Sequence, residues 1–324
     1  MSQGGAHSGS GYDVIGDIHG CARTLERLLE NMGYARQQGV WRHPQRQALF
    51  LGDIIDRGPR IREALHLVHD MVEAGSAQCI MGNHEINALA WATPAPAGSG
   101  RQYIREHTER SRRQLEATLE QMAAWPEEWE YFLDWFYTLP LFLELDDIRL
   151  VHACWDESLI RPFAAQYPDG RIDREFLESA AEYGGFASQV LERLLRGSEM
   201  RLPHGGTMVS KDGLVRHTFR TKFWEEAPQT YGDLVFQPDA LPEEVATRPL
   251  TDSQKAELLI YGSDEPILFV GHYWQQGDPH PIRPNLACLD YSAVKYGKLV
   301  AYRWNGEHRL DRHNFVWVDV PRLA

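Results

Sequence analysis

Apolar positions near the start of the chain fall in short runs. Each run ends in a turn rich in glycine and carboxylate, and an amphipathic stretch follows. Tyr12, Val14 and Ile15 lead into Gly16-Asp17-Ile18-His19-Gly20, after which Leu25, Leu28, Leu29 and Met32 recur at helical spacing. Ala48 to Leu51 lead into the turn at 52–60, followed by Ile61, Leu65, Val68 and Val72. Cys79 to Met81 lead into Gly82-Asn83-His84-Glu85, with a helix expected from Ile86 onward. A short apolar run followed by a 3.6-residue period marks a βα unit. Three such units predict an α/β fold with the turn residues in loops beyond the C-terminal strand ends, where open α/β sheets place their ligand sites.

The pattern breaks at the Pro, Gly and Ala stretch 93–100. Residues 101–124 read as a charged surface helix with the stripe Leu115, Leu119 and Met122, and Trp129, Phe132, Leu133 and Phe136 mark a second helix ending near Pro140. A hairpin follows: Leu141 to Leu145, a turn at Asp146 and Asp147, and Ile148 to Val151 running into His152. Residues 155–265 are the least legible, with helices expected around 173–195, a polar turn at 210–213 and a proline-rich irregular segment at 238–250. Strands return at Ile267–Val270, Leu286–Leu289, Leu299–Trp304 and Phe315–Val320, and Asn305-Gly306 signals a hairpin between the last two. The expected organisation is a flexible tail at 1–10 and a single domain at 11–324. Insertions at about 92–140 and 155–265 form its cap or rim.

Composition narrows the class. With 43% hydrophobic and 24% charged residues the chain is of globular type. No run approaches the roughly 18 apolar residues of a membrane span. The start of the chain lacks the charged and apolar blocks of a secretory signal. Cys21, Cys79, Cys154 and Cys288 are far apart and form no CxxC pair, which argues against a zinc ribbon or a disulfide framework and suits a cytoplasmic setting. The net charge of −13 argues against coating extended nucleic acid. It does not exclude a phosphorylated substrate, because bound divalent ions invert the local field.

Asp17, His19, Asp53, Asn83, His152 and His272 all follow short apolar strands. Oxygen and imidazole donors of this kind suit Mn, Fe or Zn, and a carboxylate between two ions can bridge them at about 3.5–4 Å. Taken singly, each turn has a structural reading: a Gly-Asp before a helix is an ordinary cap, and one histidine after a strand is more often structure than ligand. Three such turns and two further strand-terminal histidines are hard to obtain by capping alone.

Gly-Asp-x-His-Gly, Gly-Asp-x-x-Asp-Arg-Gly and Gly-Asn-His-Glu, in this order and spacing, resemble the PPP (phosphoprotein phosphatase) family of calcineurin-like metallophosphoesterases. The match is tight over 12–90, weaker at 151–154 and 270–274, and it extends to the closing segment from Leu286 to Trp304. The resemblance implies a sandwich of two facing mixed β-sheets flanked by helices. It also implies two metal ions, with Mn the first expectation and Fe or Zn the others. Asp17 and His19 would hold the first ion, Asp53 would bridge, and Asn83, His152 and His272 would complete the second. His84 would be the general acid, charged and oriented by Asp56, with Arg57 clamping the phosphate. A hydroxide held between the metals would attack phosphorus in line. His204, in Pro-His-Gly-Gly, competes with His152 for the later ligand; the strand leading into His152 favours the latter. Arg220 is the candidate second phosphate-binding arginine, with Arg201 and Arg216 as rivals.

The first substrate expectation is a phosphomonoester of the serine/threonine protein-phosphatase kind: a phosphorylated protein or a small phosphoester. The alternative is a dinucleoside polyphosphate, or a nucleotide or RNA end, on the same site. Asp56 and Glu85 depart from the pattern of symmetrical tetraphosphatases and favour the first. A non-catalytic phosphate-binding module is the weakest reading, since the ligand set and His84 are all present.

Overall fold

The computed structural model describes residues 11–145, 147–209, 215–236 and 241–321. The expected tail at 1–10, Asp146 of the hairpin turn, the turn at 210–213 and residues 238–240 of the proline-rich segment lie outside these. The three leading units form with shifted edges. β1 (Gly11–Ile15) leads to α1 (Ala22–Asn31), and β2 (Ala35–Gln37) and β3 (Val40–Arg42) make a small hairpin that the pattern did not announce. β4 (Arg46–Phe50) leads to α2 (Ile61–Glu73), and β5 (Ala77–Cys79) to α3 (Asn83–Ala92). α3 starts three residues before Ile86 because the polar Asn83, His84 and Glu85, invisible to an apolar pattern, form its first turn.

α4 (Glu109–Met122) begins where the Thr108 side chain accepts a bond from Ser111 N, so residues 101–108 stand outside the helix expected from 101. α5 (Pro126–Phe136) follows, then the hairpin of β6 (Phe142–Leu145) and β7 (Ile148–Val151). The middle third holds α6 (Glu157–Gln166), which was not anticipated, and α7 (Arg174–Ser179) and α8 (Phe186–Arg196), which were. Beyond them lie β8 (Glu199–Arg201), β9 (Met208–Val209), β10 (Val215–Arg216), β11 (Thr218–Arg220), α9 (Tyr231–Leu234), α10 (Glu243–Ala246) and α11 (Asp252–Ala256). The chain closes with β12 (Ile267–Val270), β13 (Leu286–Cys288), β14 (Asp290–Tyr291), β15 (Lys298–Trp304) and β16 (Phe315–Asp319). Asn305-Gly306 is not a two-residue hairpin loop. β15 and β16 pair from Tyr302 and Phe315 onward, and Asn305 instead accepts a bond from Arg46 Nη1 at 2.7 Å.

Two mixed sheets face each other. One runs β14-β15-β1-β4-β5 with β16 on β15, and the other runs β13-β12-β7-β6. Alternation along the strands decides which side chain enters which layer. Val14, Leu49, Ile148, Leu150, Ile267 and Phe269 fill the space between the sheets, while Ile15, Phe50, Leu268 and Val270 point the other way into the helical layers. Each fully buried Leu, Ile or Phe contributes roughly 1.5–3 kcal/mol. Covering both faces explains why the strands read as solid apolar runs. A third cluster, including Leu202, Phe219, Tyr231 and Leu234, gives residues 199–250 a small core of their own. Among the described residues, no helix is long and apolar enough to cross a membrane.

Candidate metal centre

β1, β4 and β5 are parallel, as are β7 and β12, so within each sheet the C-terminal ends lie on one edge. Asp17 and His19 follow β1, Asp53 follows β4, Asn83 follows β5, His152 follows β7 and His272 follows β12. The connecting loops turn sharply. His19, Asp53, Asp56, Arg57 and His272 have φ of 43, 51, 70, 68 and 61°, left-handed values that cost a non-glycine residue about 1 kcal/mol or more each. Glycines allow the loops to close in: a Cβ on Gly271 would stand 2.1 Å from Asp17 Oδ1, and one on Gly82 2.3 Å from Asp53 Oδ1.

Asp53 Oδ2 lies at the middle of the constellation. It is 3.4 Å from His152 Nε2, 3.6 Å from His19 Nε2 and 3.8 Å from His84 Nε2. Asn83 Oδ1 lies 3.0 Å from His152 Nε2 and 2.7 Å from His272 Nδ1. His19 Nδ1 donates to the Ile55 carbonyl at 2.8 Å and His152 Nδ1 to the Leu51 carbonyl at 2.7 Å. Those bonds fix the tautomers and turn both Nε2 lone pairs inward, as metal-binding imidazoles require. Two donor groups, Asp17 with Asp53 and His152, and His19 with Asp53 and His84, share Asp53.

The donors fit a pair of divalent ions. Asp17 Oδ1 is buried without a hydrogen-bond partner, a costly arrangement that a cation would satisfy. The field points the same way. Burial opposes charge on His152, yet the Asp53 and Asp17 carboxylates outweigh it and lift the imidazole to about 10, and a pocket that holds a second proton so firmly favours a cation. Burial, then the nearby Asp290 carboxylate, raise Asp17 well above the usual range. Burial, with Arg57 for His19 and Arg220 for His272, keeps those two imidazoles neutral and available as ligands.

Beside this set, His84 Nδ1 donates to Asp56 Oδ2 at 2.5 Å. Asp56 is held from behind: its Oδ1 accepts from the Thr118 hydroxyl, and its backbone N–H donates to the same Thr118 oxygen at 3.0 Å. Arg57 Nη2 lies 3.0 Å from His84 Nε2 and Nη1 3.2 Å from His19 Nε2, which puts the guanidinium over the open side of the cluster. Glu85 is fully buried and accepts bonds from Asp53 N, Ile54 N, Ile55 N and Gly82 N, binding the second loop to the third.

Of the arginines weighed from sequence, Arg220 is the one whose charge reaches His272, and it lies 5.8 Å over the Tyr273 ring. Arg216 is partly buried beside Arg220, and Arg201 is exposed. His204 is exposed, whereas His152 is fully buried among the donors. Several contributors were not foreseen. Thr118, on α4, left no local signal; Glu85 carried one in the Gly82 to Glu85 spacing of a capping box. Asn87 Oδ1, one turn along α3 from Asn83, receives Arg105 Nη1 at 2.5 Å and Arg196 Nη2 at 2.6 Å. No sequence pattern joins residues so far apart.

Buried carboxylates and imidazoles gathered around one Asp53 oxygen, with an arginine beside them, are a donor arrangement that suits two-metal hydrolysis. The chain belongs to the calcineurin-like phosphoesterases, whose family model matches residues 12–272. The asymmetrical bis(5'-nucleosyl)-tetraphosphatase PrpE of Oceanobacillus iheyensis is 32% identical over 156 residues, covering 46% of this chain and 58% of that protein. Its counterpart in Halalkalibacterium halodurans is 42% identical over 74 residues, covering 22% and 30%. The chain thus spans less than two thirds of the length of these curated relatives. Among solved structures, a serine/threonine phosphatase from Saccharomyces cerevisiae matches with a TM-score of 0.50 at 13% identity, over 99% of this chain and 82% of that one, a likeness of fold alone.

Proposed function

We propose that this chain hydrolyses nucleoside polyphosphates of the dinucleoside tetraphosphate class. The observation that carries the reading is the number of guanidinium groups around the donor set. Arg57 touches His19 and His84, Arg105 and Arg196 meet on Asn87, and Arg220 faces His272. One phosphoryl group needs one or two such partners; a chain of phosphates uses more. The tetraphosphatase activity by which these relatives are named supports the same class. The departures at Asp56 and Glu85, which inclined the sequence toward a phosphoprotein, were judged against symmetrical tetraphosphatases, whereas these relatives are asymmetrical.

Asp17, His19, Asp53, Asn83, His152 and His272 would hold two divalent ions, with manganese proposed as the native metal and Asp53 the donor common to both groups. When bound, the ions supply Lewis-acid activation of water and neutralise phosphoryl charge. Arg57 presents two N–H edges to the phosphoryl oxygens and orients phosphorus for in-line attack. As an imidazolium, His84 gives its Nε2 proton to the departing oxygen and keeps its Nδ1 proton, which is hydrogen-bonded to Asp56; the Asp56 carboxylate offsets the imidazolium charge until that transfer.

The test offers metal-stripped protein, reloaded with Mn²⁺, three substrates side by side: diadenosine tetraphosphate, a phosphothreonine peptide and para-nitrophenyl phosphate. The highest kcat/KM is expected on the dinucleotide. A preference for the phosphopeptide overturns the substrate class and restores the protein-phosphatase reading.

A further inference from the structure

A cavity of about 480 Å³ has Arg57 in its wall. Its wall is formed by the first-motif turn and the start of α1, the second-motif loop, the short turn at Ala293–Lys295 and the chain beyond β16. Arg23, Arg27, Arg57 and Arg60 line it together with the apolar and aromatic Val294 and Tyr296, and no carboxylate is among the described residues of its wall. Only Arg60 of the four makes an ion pair among the described residues, with Glu63. Such a concentration of positive charge is unexpected in a chain of net charge −13. Arg23 and Arg27, four apart on α1, share one helix face.

Tyr296 stands at the rim with 52% of its surface exposed, held at φ 62° just after the short turn, which Ser292 at φ 55° precedes. Two non-glycine residues in left-handed conformations are a cost the fold sustains to present this turn. A flat ring, apolar side chains and guanidinium groups in one lining suit a ligand that is both anionic and aromatic. Arg57 joins the two sites, since it lines this cavity and reaches His84 Nε2 at 3.0 Å. The cavity therefore opens beside the group assigned to protonate the departing oxygen.

We propose that this cavity binds the departing nucleotide, with its phosphates against Arg23, Arg27 and Arg60 and its base against Tyr296. The inference rests on the nucleoside polyphosphate reading. The experiment compares the manganese-loaded wild-type chain with Arg23→Ala/Arg27→Ala and Tyr296→Ala. The readouts are kcat and KM on diadenosine tetraphosphate and on para-nitrophenyl phosphate, and direct binding of ATP by calorimetry. In both variants the ratio of kcat/KM on the dinucleotide to that on the small ester is expected to fall about tenfold or more, mostly through KM, with ATP binding weakened in parallel. An unchanged ratio, or wild-type protein that cleaves the dinucleotide but binds no ATP, overturns the pocket and leaves the function standing. Wild-type protein that binds ATP through Tyr296 and the arginines yet fails to cleave the dinucleotide overturns the function and keeps the pocket as a nucleotide site.

Discussion

Replacing Glu85 by glutamine tests what holds the centre in shape. Glu85 is fully buried, and its Oε2 accepts from Asp53 N at 2.9 Å and Gly82 N at 3.0 Å, while Oε1 accepts from Ile54 N at 2.8 Å and Ile55 N at 3.3 Å. An amide keeps one oxygen and turns an NH₂ toward the other pair of donors, so two charge-assisted bonds disappear in either orientation. Bonds to a charged group contribute about 1.5–3 kcal/mol each, a gross loss of about 3–6 kcal/mol. Part of this is recovered. Burial, then the Asp53 charge, raise the Glu85 carboxyl above its usual range, so a neutral side chain avoids some cost. The net loss is expected to be about 2–4 kcal/mol, read as a shift of the urea midpoint at constant slope. Because the backbone of Asp53 leans on this carboxylate, bound metal measured by elemental analysis should fall with it. A loss under about 1 kcal/mol with full metal content refutes the reasoning.

Asp53→Asn is expected to lose bound metal and turnover together, whereas His84→Ala keeps its metal and loses about 10²–10⁴ in kcat; equal metal loss in both would contradict the division of roles. Thr118→Val removes the hydroxyl that donates to Asp56. About tenfold in kcat should go with little change in KM, and Thr118→Ser should restore it; a pure KM effect argues for a merely structural role. Glu128 ties α2 to α5 through Arg62 and His66, and the Arg62 bond, against some burial and with help from His66, holds its carboxyl below the usual range. A depressed carboxyl contributes stability above its unfolded pKa of about 4.3 and loses it as pH falls toward the lower folded value. The Tm gap between wild type and Glu128→Gln, present at neutral pH, should therefore shrink below that pH; a gap that persists in strong acid would place the effect in packing.

The sequence by itself determined the family and the order of the strands that carry the donors. Both are local properties: an apolar run, a glycine where a loop must approach another, and a carboxylate or histidine at the strand end are written within a few residues of one another. Asp17, His19, Asp53 and Asn83 were legible for that reason. Only the tertiary structure decided what depends on contacts between distant segments. It set His152, which the strand leading into it already favoured, beside His272 and left His204 exposed, because β7 lies beside β12 in the second sheet. It brought Thr118 behind Asp56 across 62 positions and Arg196 onto Asn87 across 109. Residues 199–250 stayed illegible because their short strands and helices pack on a small core of their own, with no long period to betray them. Arg23 and Arg27 look in sequence like an ordinary solvated helix face. They become part of a cavity lining only because the turn before β15 and the chain beyond β16 come to the same place.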